Sequence, residues 1–491
     1  MAELILAIDQ GTTGTTVAVF DRSCNMLAKV NTEFRQIFPQ PGWVEHDLED
    51  IWTSVTTGIQ KALQSCGASG GNVQAIGITN QRETTGVWER EGGKPLHNAI
   101  VWQCRRTAPL CTQLKKAYEP LFRRKTGLVL DPYFSGTKLR WLLDNVDGLS
   151  NRAERGEICF GTIDSFLVYR LTGRQVHVTD VSNASRTLLM NLKTLSWDPE
   201  LLQILGIPPA LLPDIRPSSE VYGTTLGVEG LPDGIPICGM AGDQQAALFG
   251  QTCFQPGQVK CTYGTGAFVL MNTGSQLVNS SRGLLTTVGW KIGDEVVYAL
   301  EGSVFIAGAA VQWLRDGLRL FAKSAEIEKL AVSVDSSDGV VFVPALVGLG
   351  APRWNPDARG IITGITRGTT AAHLARATLE GIAFQVRDVV EAMRQDLQRG
   401  VTFLRVDGGA AGNDLLLQFQ ADVLQVEIHR PKILETTALG AALLAGLAAG
   451  VFKSKDEILN NWQQEKGFKP QRGADEIAAL LANWEKAVSK A

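Results

Sequence analysis

The sequence predicts an α/β protein built in two halves around open sheets, and three stretches carry that reading. IPICGMAGDQQAALFG, from Ile235 to Gly250, reads as a short buried strand (235–240), a glycine-flanked turn and the first turn of a helix. Leu4 to Ile8 is an apolar run that passes through DQGTTGTT (9–16) and resumes as VAVFD, a β-hairpin with a Gly/Thr tip. QVKCTYGTGAFVLMN (258–272) repeats the plan as strand, Gly264-Thr265-Gly266, strand, which implies a weak internal duplication. At 491 residues the chain exceeds one ordinary core, so two enlarged domains or three smaller ones are expected.

In the first stretch, Gly239 and Gly242 permit a tight turn and the close approach of other groups. Asp243 stands where strand becomes helix, the end at which open α/β folds place ligands. Asp is also a preferred helix N-cap, so a structural and a catalytic role both fit the residue. In the first hairpin, Gly11 and Gly14 offer positive φ. Backbone N–H groups and the hydroxyls of Thr12, Thr13 and Thr15 make a nest for a phosphate. Asp9, at the mouth, suits Mg²⁺, which takes few carboxylates and several waters. An ordinary hairpin turn fits the same residues.

QAIGIT (74–79) predicts a strand that delivers NQRE (80–83), and NAIVW (98–102) a further strand ending in WQCRR. LDPYFSGTKLRWLLDN (130–145) reads as a Pro-marked turn and an amphipathic helix with Leu139, Leu142 and Leu143 on one face. Arg82–Glu83 fits a solvated loop pair and Trp102 a core residue, but both sit at strand ends. From about Leu149 to Pro236 the chain is richer in Pro and turn residues, which predicts a lobe outside the central sheet. Three helices follow, over 302–318, 373–397 and 437–450, the last close-packed because its residues are small. Between the last two, a strand (403–406) enters Asp407-Gly408-Gly409 and a helix beginning near Asn413. That turn suits a flat ring or a phosphate, or is simply tight.

Composition excludes several classes. With 44% apolar and 20% charged residues and a net charge of −3, no electrostatic case for nucleic acid arises. Eight dispersed cysteines without a C-x-x-C pair read as buried free thiols, and five scattered histidines argue against a His-based metal site. MAELILAIDQG lacks a basic n-region, and the longest apolar stretch, 439–452, falls short of a bilayer span. A cytoplasmic protein without an integral membrane segment is expected.

There is no Walker A motif and no G-x-G-x-x-G. Several glycine turns from two halves, with carboxylates at Asp9 and Asp243, point to phosphoryl transfer, which needs positioning and charge neutralisation. DQGTT, NQRETT, WQCRR, DPYFSGTK, AGDQQAALFGQ, TYGTG and DGGA, in this order, resemble the FGGY carbohydrate kinases, and within them the branch acting on glycerol. YFSGTKLRWLLDN (133–145) and GIITGITRGTTAAHLARATLE (360–380) are similar to the family's longer signatures.

The resemblance covers nearly the whole chain. It implies two ribonuclease-H-like domains of the actin/hexokinase type with the active site in a cleft, one over 1–250 and the other over 251–491. The first would hold the polyol, the first phosphate turn and the base; the second would hold the nucleotide. It also implies ATP-dependent phosphorylation of glycerol to sn-glycerol 3-phosphate with Mg²⁺ as cofactor, in a dimer or tetramer. By the same resemblance Asp243 is the general base. Arg82, Glu83, Tyr133, Asp243 and Gln244 match polyol ligands, and Trp102 and Phe268 match aromatic walls. Thr12, Thr13, Gly14, Thr265 and Gly266 match phosphate contacts; Gly308, Gln312, Gly409 and Asn413 lie on the nucleotide side. Asp9, with Asp243, is the metal position.

Two departures stand out. Thr16 replaces a basic residue of the DQGTTSSR pattern, with Lys260 a candidate to compensate. The segment 225–236 lacks both the Gly-Thr-Arg effector loop and the phosphorylated histidine of some bacterial members, so neither form of regulation is expected. A kinase of another polyol or pentulose, and a non-catalytic ATPase on the same fold, are the competing readings.

Overall fold

The computed structural model describes residues 3–491. Met1 and Ala2, which open the stretch read for a targeting segment, lie outside the described residues.

Two sheets of one plan organise the chain. The first has six strands in the order 219–224, 236–242, 73–80, 4–10, 14–20, 26–33. Leu4–Gln10, Val73–Asn80 and Pro236–Gly242 run parallel, and the remaining pairings are antiparallel. The second has seven, in the order 285–292, 295–304, 267–274, 259–263, 404–407, 428–431, 464–468. Here Val259–Tyr263, Leu404–Asp407 and Ile428–Pro431 are the parallel set. In each sheet a hairpin opens, two parallel strands add in succession beyond its first strand, and an antiparallel strand closes the edge. The duplication read from two Gly/Thr turns thus extends to the whole topology, and the sheets are of the ribonuclease-H type expected.

Leu4, Leu6 and Ile8 enter one core, while Ile5 and Ala7 enter another on the opposite face. Burial on both faces is why this strand reads as a continuous apolar run rather than an alternation. Helices Asp243–Gly250 and Thr436–Ala448 lie against each other. The first packs on strands of both sheets, and the second lies on the first sheet although it comes from the second half of the chain. Its alanines and glycines allow that approach: a Cβ on Gly77 would stand 2.1 Å from the Ala441 carbonyl oxygen, and one on Gly440 would stand 1.8 Å from that of Ala246. No helix among the described residues is long and apolar enough to cross a membrane. All eight cysteines are unpaired.

Several local expectations are corrected. The strand expected over 98–102 is only Ala99–Ile100, and it pairs with Glu45–His46 outside the main sheet. The segment 149–236 is not wholly outside the central sheet, because Ser219–Thr224 forms its edge. The helix expected from Gly302 begins at Gly308; Gly302–Val304 complete a strand whose pairing with 267–274 outweighs helical periodicity. Neither Gly11 nor Gly14 takes positive φ. Gly14 already belongs to the second strand, where a Cβ would stand 2.9 Å from the Asn31 side chain, so close packing is its reason for being glycine.

Candidate active site

Gln10, Asn80 and Gly242 lie in register at the carboxyl ends of three adjacent parallel strands. The segments that continue from them therefore emerge side by side, bringing Thr12, Arg82–Glu83 and Asp243 to one rim. Asp243 is the first residue of its helix, and its side chain does not cap it; Gly242 occupies the cap position. Asp243 Oδ1 instead accepts from its neighbour's amide, Gln244 N, at 2.7 Å and from Arg82 Nε at 3.0 Å. Gln244 Nε2 donates to Oδ2 at 3.1 Å. One-third of the Asp243 side chain remains exposed, against 2% for Arg82, so the carboxylate faces open space from a fixed base.

Arg82 and Glu83 are not a solvated loop pair. Both are buried, with Arg82 Nε 3.8 Å from Glu83 Oε1. Arg82 Nη1 donates to Glu301 Oε2 at 2.5 Å and to Gln245 Oε1 at 3.2 Å, and Nη2 donates to Glu301 Oε1 at 3.1 Å. Arg186 closes the ring, its Nε 2.7 Å from Glu83 Oε1 and its Nη2 2.9 Å from Glu301 Oε1. Buried charges persist only when paired and hydrogen-bonded. Burial pushes the Glu301 carboxyl up, but Arg186 and Arg82 together hold it down to about 2. At Glu83 burial outweighs the two guanidiniums and the carboxyl is raised. Glu83 also adopts φ of 62°, a left-handed conformation that side chains rarely take and that collects at functional sites. Hydroxyls of Thr85 and Ser135, each 3.0 Å from its carbonyl oxygen, hold it there.

Glu301, Arg186 and Gln245 escaped the sequence reading. The one available signal was a single carboxylate inside the apolar strand VVYALEGSV, which demands a buried cation. Because Glu301 lies on the second sheet and Arg82 and Arg186 on the first half, the ring spans the two halves.

Tyr133 meets Trp102 edge to face at 5.6 Å, and the Trp102 indole N–H donates to Thr12 Oγ1 at 3.0 Å. Lys138, fully buried in the SGTK turn, donates to the carbonyl oxygens of Tyr133 and Phe134 at 2.5 and 3.1 Å and so fixes the Tyr133 backbone. Phe268 stands opposite Thr262 and Ser303 in the second sheet, on the face that carries Glu301 and Lys260.

Asp9 lies on the same side of its strand as Ile5 and Ala7, the side packed on helix Thr436–Ala448. No hydrogen bond to its carboxylate is found among the described residues. Burial, then the Asp243 and Glu435 carboxylates, push it up to about 8. Lys29 offsets that push only in part, and a half-buried carboxylate facing others of its own sign suits a divalent ion. Among the described residues no group of three or more His, Cys, Asp or Glu is placed to hold a metal, so two carboxylates and waters are the available donors.

On the second sheet, strands 259–263 and 404–407 are parallel neighbours, so the turns after them adjoin. Gly264 to Gly266 fold over the start of helix Gly308–Asp316: the Gly308 and Ala309 amides donate to the Gly264 and Thr265 carbonyls, each at 3.0 Å. Gln312 is exposed one turn further along. A Cβ on Gly408, at φ 86°, would stand 2.5 Å from the Tyr263 carbonyl oxygen, whereas Gly409 faces open space. Asn413 caps helix Asp414–Leu424, its Oδ1 accepting from Leu416 N at 2.8 Å, which leaves only its amide N–H₂ for a ligand. Thr13 is exposed at the first tip. Lys260 is buried and joins the site by donating to Gln244 Oε1 and, at 2.9 Å, to Thr262 Oγ1. Thr16 accepts from Asn31 Nδ2 at 3.0 Å.

Residues 4–250 match the family model for the N-terminal domain of the FGGY family of carbohydrate kinases, and residues 259–449 match that for its C-terminal domain. The chain belongs to the FGGY family of carbohydrate kinases. Among its FGGY relatives, a glycerol kinase of Myxococcus xanthus is 59% identical over 100% of this chain and 99% of its own length. Glycerol kinase 2 of Thermotoga maritima is 57% identical, covering 99% and 98%. The crystal structure of Plasmodium falciparum glycerol kinase with ADP superposes with a TM-score of 0.94 at 37% identity, covering 100% of this chain and 98% of that one. A ligand-bound xylulose kinase from Lactobacillus acidophilus gives 0.88 at 25% identity over 99% and 97%. The FGGY fold is thus common to kinases of different sugars and polyols.

Proposed function

We propose that this FGGY kinase phosphorylates glycerol, transferring the terminal phosphoryl group of ATP to a primary hydroxyl and forming sn-glycerol 3-phosphate. The observation that carries the reading is Asp243: a part-exposed carboxylate at a strand end, oriented by Arg82 at 3.0 Å. Glu83, 3.8 Å from the same Arg82, and the edge-to-face pair Tyr133–Trp102 would give a fork of polar groups against aromatic faces that suits a short triol. Kinship with glycerol kinases over the full chain points the same way.

In this reading Asp243 takes the proton of the attacking hydroxyl. The new O–P bond forms as the bond from the terminal phosphorus to the bridging oxygen breaks, and ADP leaves. Arg82 Nε holds Oδ1 and Gln244 Nε2 holds Oδ2, which fixes the carboxylate while a third of it stays open to the substrate. Glu83 accepts from a second hydroxyl, with Gln244 and the Trp102 and Phe268 faces completing the pocket. Thr12 and Thr13 from one hairpin, and Thr265 and Gly266 from the other, contact phosphates. Gly308, Gln312, Gly409 and Asn413 border the nucleoside. Asp9 and Asp243 would hold Mg²⁺ through water, and the ion, when bound, supplies charge neutralisation to the phosphate oxygens. A cytoplasmic homo-oligomer is the state we expect, and sedimentation of the purified chain tests the assembly.

The deciding experiment is coupled ADP release with glycerol, xylulose and ribulose side by side, on wild type and Asp243→Asn. Glycerol is expected to be the best acceptor. The variant is expected to lose about 10²- to 10⁴-fold in turnover while still binding nucleotide. A pentulose turned over faster would assign the chain to another FGGY activity. Nucleotide binding that no acceptor accelerates would leave a non-catalytic ATPase.

A further inference from the structure

His46 lies outside every motif described above. It is buried in the two-residue ladder with Ala99–Ile100 and packs edge to face on Phe34 at 4.9 Å. Its two ring nitrogens are both used. Nε2 is 2.9 Å from Gln36 Oε1, and Nδ1 is 3.2 Å from Gln81 Nε2. Each glutamine in turn reaches the first phosphate turn. Gln36 Nε2 donates to the Thr12 carbonyl oxygen at 3.1 Å, and Gln81 Nε2 lies 3.2 Å from that of Gly11. Gln10 Nε2 donates to the same Gly11 oxygen at 2.7 Å.

The chemistry of these contacts allows one arrangement. A carbonyl oxygen can only accept, so the ends of Gln36 and Gln81 that face the turn are their amide nitrogens. The far end of Gln36 is then an oxygen, to which the ring must donate from Nε2. Nδ1 is left as an acceptor, and Gln81 Nε2 shares its two protons among it, the Gly11 carbonyl and Gln10 Oε1 at 3.1 Å. A neutral imidazole with its proton on Nε2 is the species that does both. Burial, which lowers the His46 pKa to about 4, keeps the ring neutral at physiological pH. Gln81 is held from its other side by Thr84 Oγ1, which donates to Gln81 Oε1 at 3.0 Å. The Gly11 N–H is spent on the Gly14 carbonyl at 2.9 Å and the buried Thr15 hydroxyl on Ser54 at 2.6 Å. With the Gly11 and Thr12 carbonyls also held inward by amides, Thr12 and Thr13 are the residues of the turn that face an anion.

We infer that His46 is a positioning residue for phosphoryl transfer. Through Gln36 and Gln81 it fixes the Gly11–Thr12 carbonyls and thereby aims the first turn at the nucleotide phosphates. The inference rests on the kinase reading above, in which Thr12 contacts phosphate.

The test compares His46→Phe, which keeps the ring packing and loses both hydrogen bonds, with His46→Gln, whose amide can donate to Gln36 and accept from Gln81. KM for Mg-ATP, kcat, thermal midpoint and glycerol affinity without nucleotide are measured. His46→Phe is expected to raise KM for Mg-ATP or lower kcat by about tenfold, the scale of misplacing a reacting group by a fraction of an ångström. Glycerol affinity should stay within about twofold, and His46→Gln should recover most of the loss. Unchanged ATP kinetics in His46→Phe, or equal losses for both substrates that His46→Gln does not relieve, would overturn the inference. Should His46→Phe fail to fold, Gln36→Met, which removes both the acceptor for His46 and the donor to Thr12, must reproduce the nucleotide-selective defect or the inference fails. Wild-type turnover of glycerol is the control: its absence defeats the kinase reading, not the positioning role.

Discussion

The indole N–H of Trp102 donates to Thr12 Oγ1 at 3.0 Å, tying the Trp102–Tyr133 aromatic pair to the first Gly/Thr turn. Accepting that bond leaves the threonine hydroxyl proton free to point at a phosphate oxygen. Trp102→Phe retains the aromatic face and removes the bond, worth about 1 kcal/mol net. We expect kcat to fall roughly fivefold with little change in glycerol KM, whereas Trp102→Ala should raise glycerol KM as well. Steady-state kinetics on both variants checks this.

Glu301 is the shared acceptor of Arg82 and Arg186, buried completely and borne by the opposite sheet. Replacing it with Gln leaves two buried guanidiniums without their common counter-charge. The expected loss of stability is about 3–5 kcal/mol, and Arg82 should hold Asp243 less firmly. Denaturant titration and the kinase assay should therefore decline together. Wild-type stability in Glu301→Gln would refute the role assigned to the ring.

Two glycines proposed to border the nucleotide separate packing from ligand contact. A Cβ on Gly308 would stand 2.6 Å from the Gly264 carbonyl oxygen, so Gly308→Ala should lower the thermal midpoint and distort the Gly264–Gly266 turn. Gly409 has nothing within 4 Å of the added atom. Gly409→Ala should then leave the midpoint unchanged and raise KM for ATP, about tenfold if a base stacks there. Equal ATP kinetics for wild type and Gly409→Ala would remove that residue from the site.

Asp164 gives a pH-dependent outcome away from the cleft. It is fully buried, accepts hydroxyls from Thr162 and Thr179, and burial with the nearby Asp180 carboxylate pushes it up to about 7. Its folded pKa lies above its unfolded one. Its contribution to stability is therefore whole below about pH 4 and is lost as pH rises through about 7. The span corresponds to roughly 4 kcal/mol. Asp164→Asn should flatten the fall in stability between pH 5 and pH 8, as read by denaturant midpoints. A variant with the same pH slope as wild type would contradict it.

How much was legible before any coordinates follows from what kind of interaction places each residue. Strand 4–10, the two Gly/Thr hairpins and the Asp243 turn announced themselves through local patterns: apolar runs bounded by residues suited to turns. Other elements were misread where pairing partners lie far away in sequence. Gly302–Val304 join a strand because residues 267–269 stand beside them, and Ser219–Thr224 enter the sheet because 236–239 do. Arg82 fitted a solvated pair or, by resemblance, a polyol ligand, but nothing near it in the chain reveals its partner Glu301, more than two hundred positions later.

The amino-acid order alone determined the two-fold plan, the glycine turns and the family resemblance, because each is written in short contiguous segments. Only the tertiary structure decided which carboxylate would stay exposed at Asp243, which would be locked between two guanidiniums at Glu301, and that His46 stands behind the phosphate turn. Those outcomes depend on burial and on charges brought together from distant strands. Desolvation and Coulomb attraction follow distance through space, not separation along the chain.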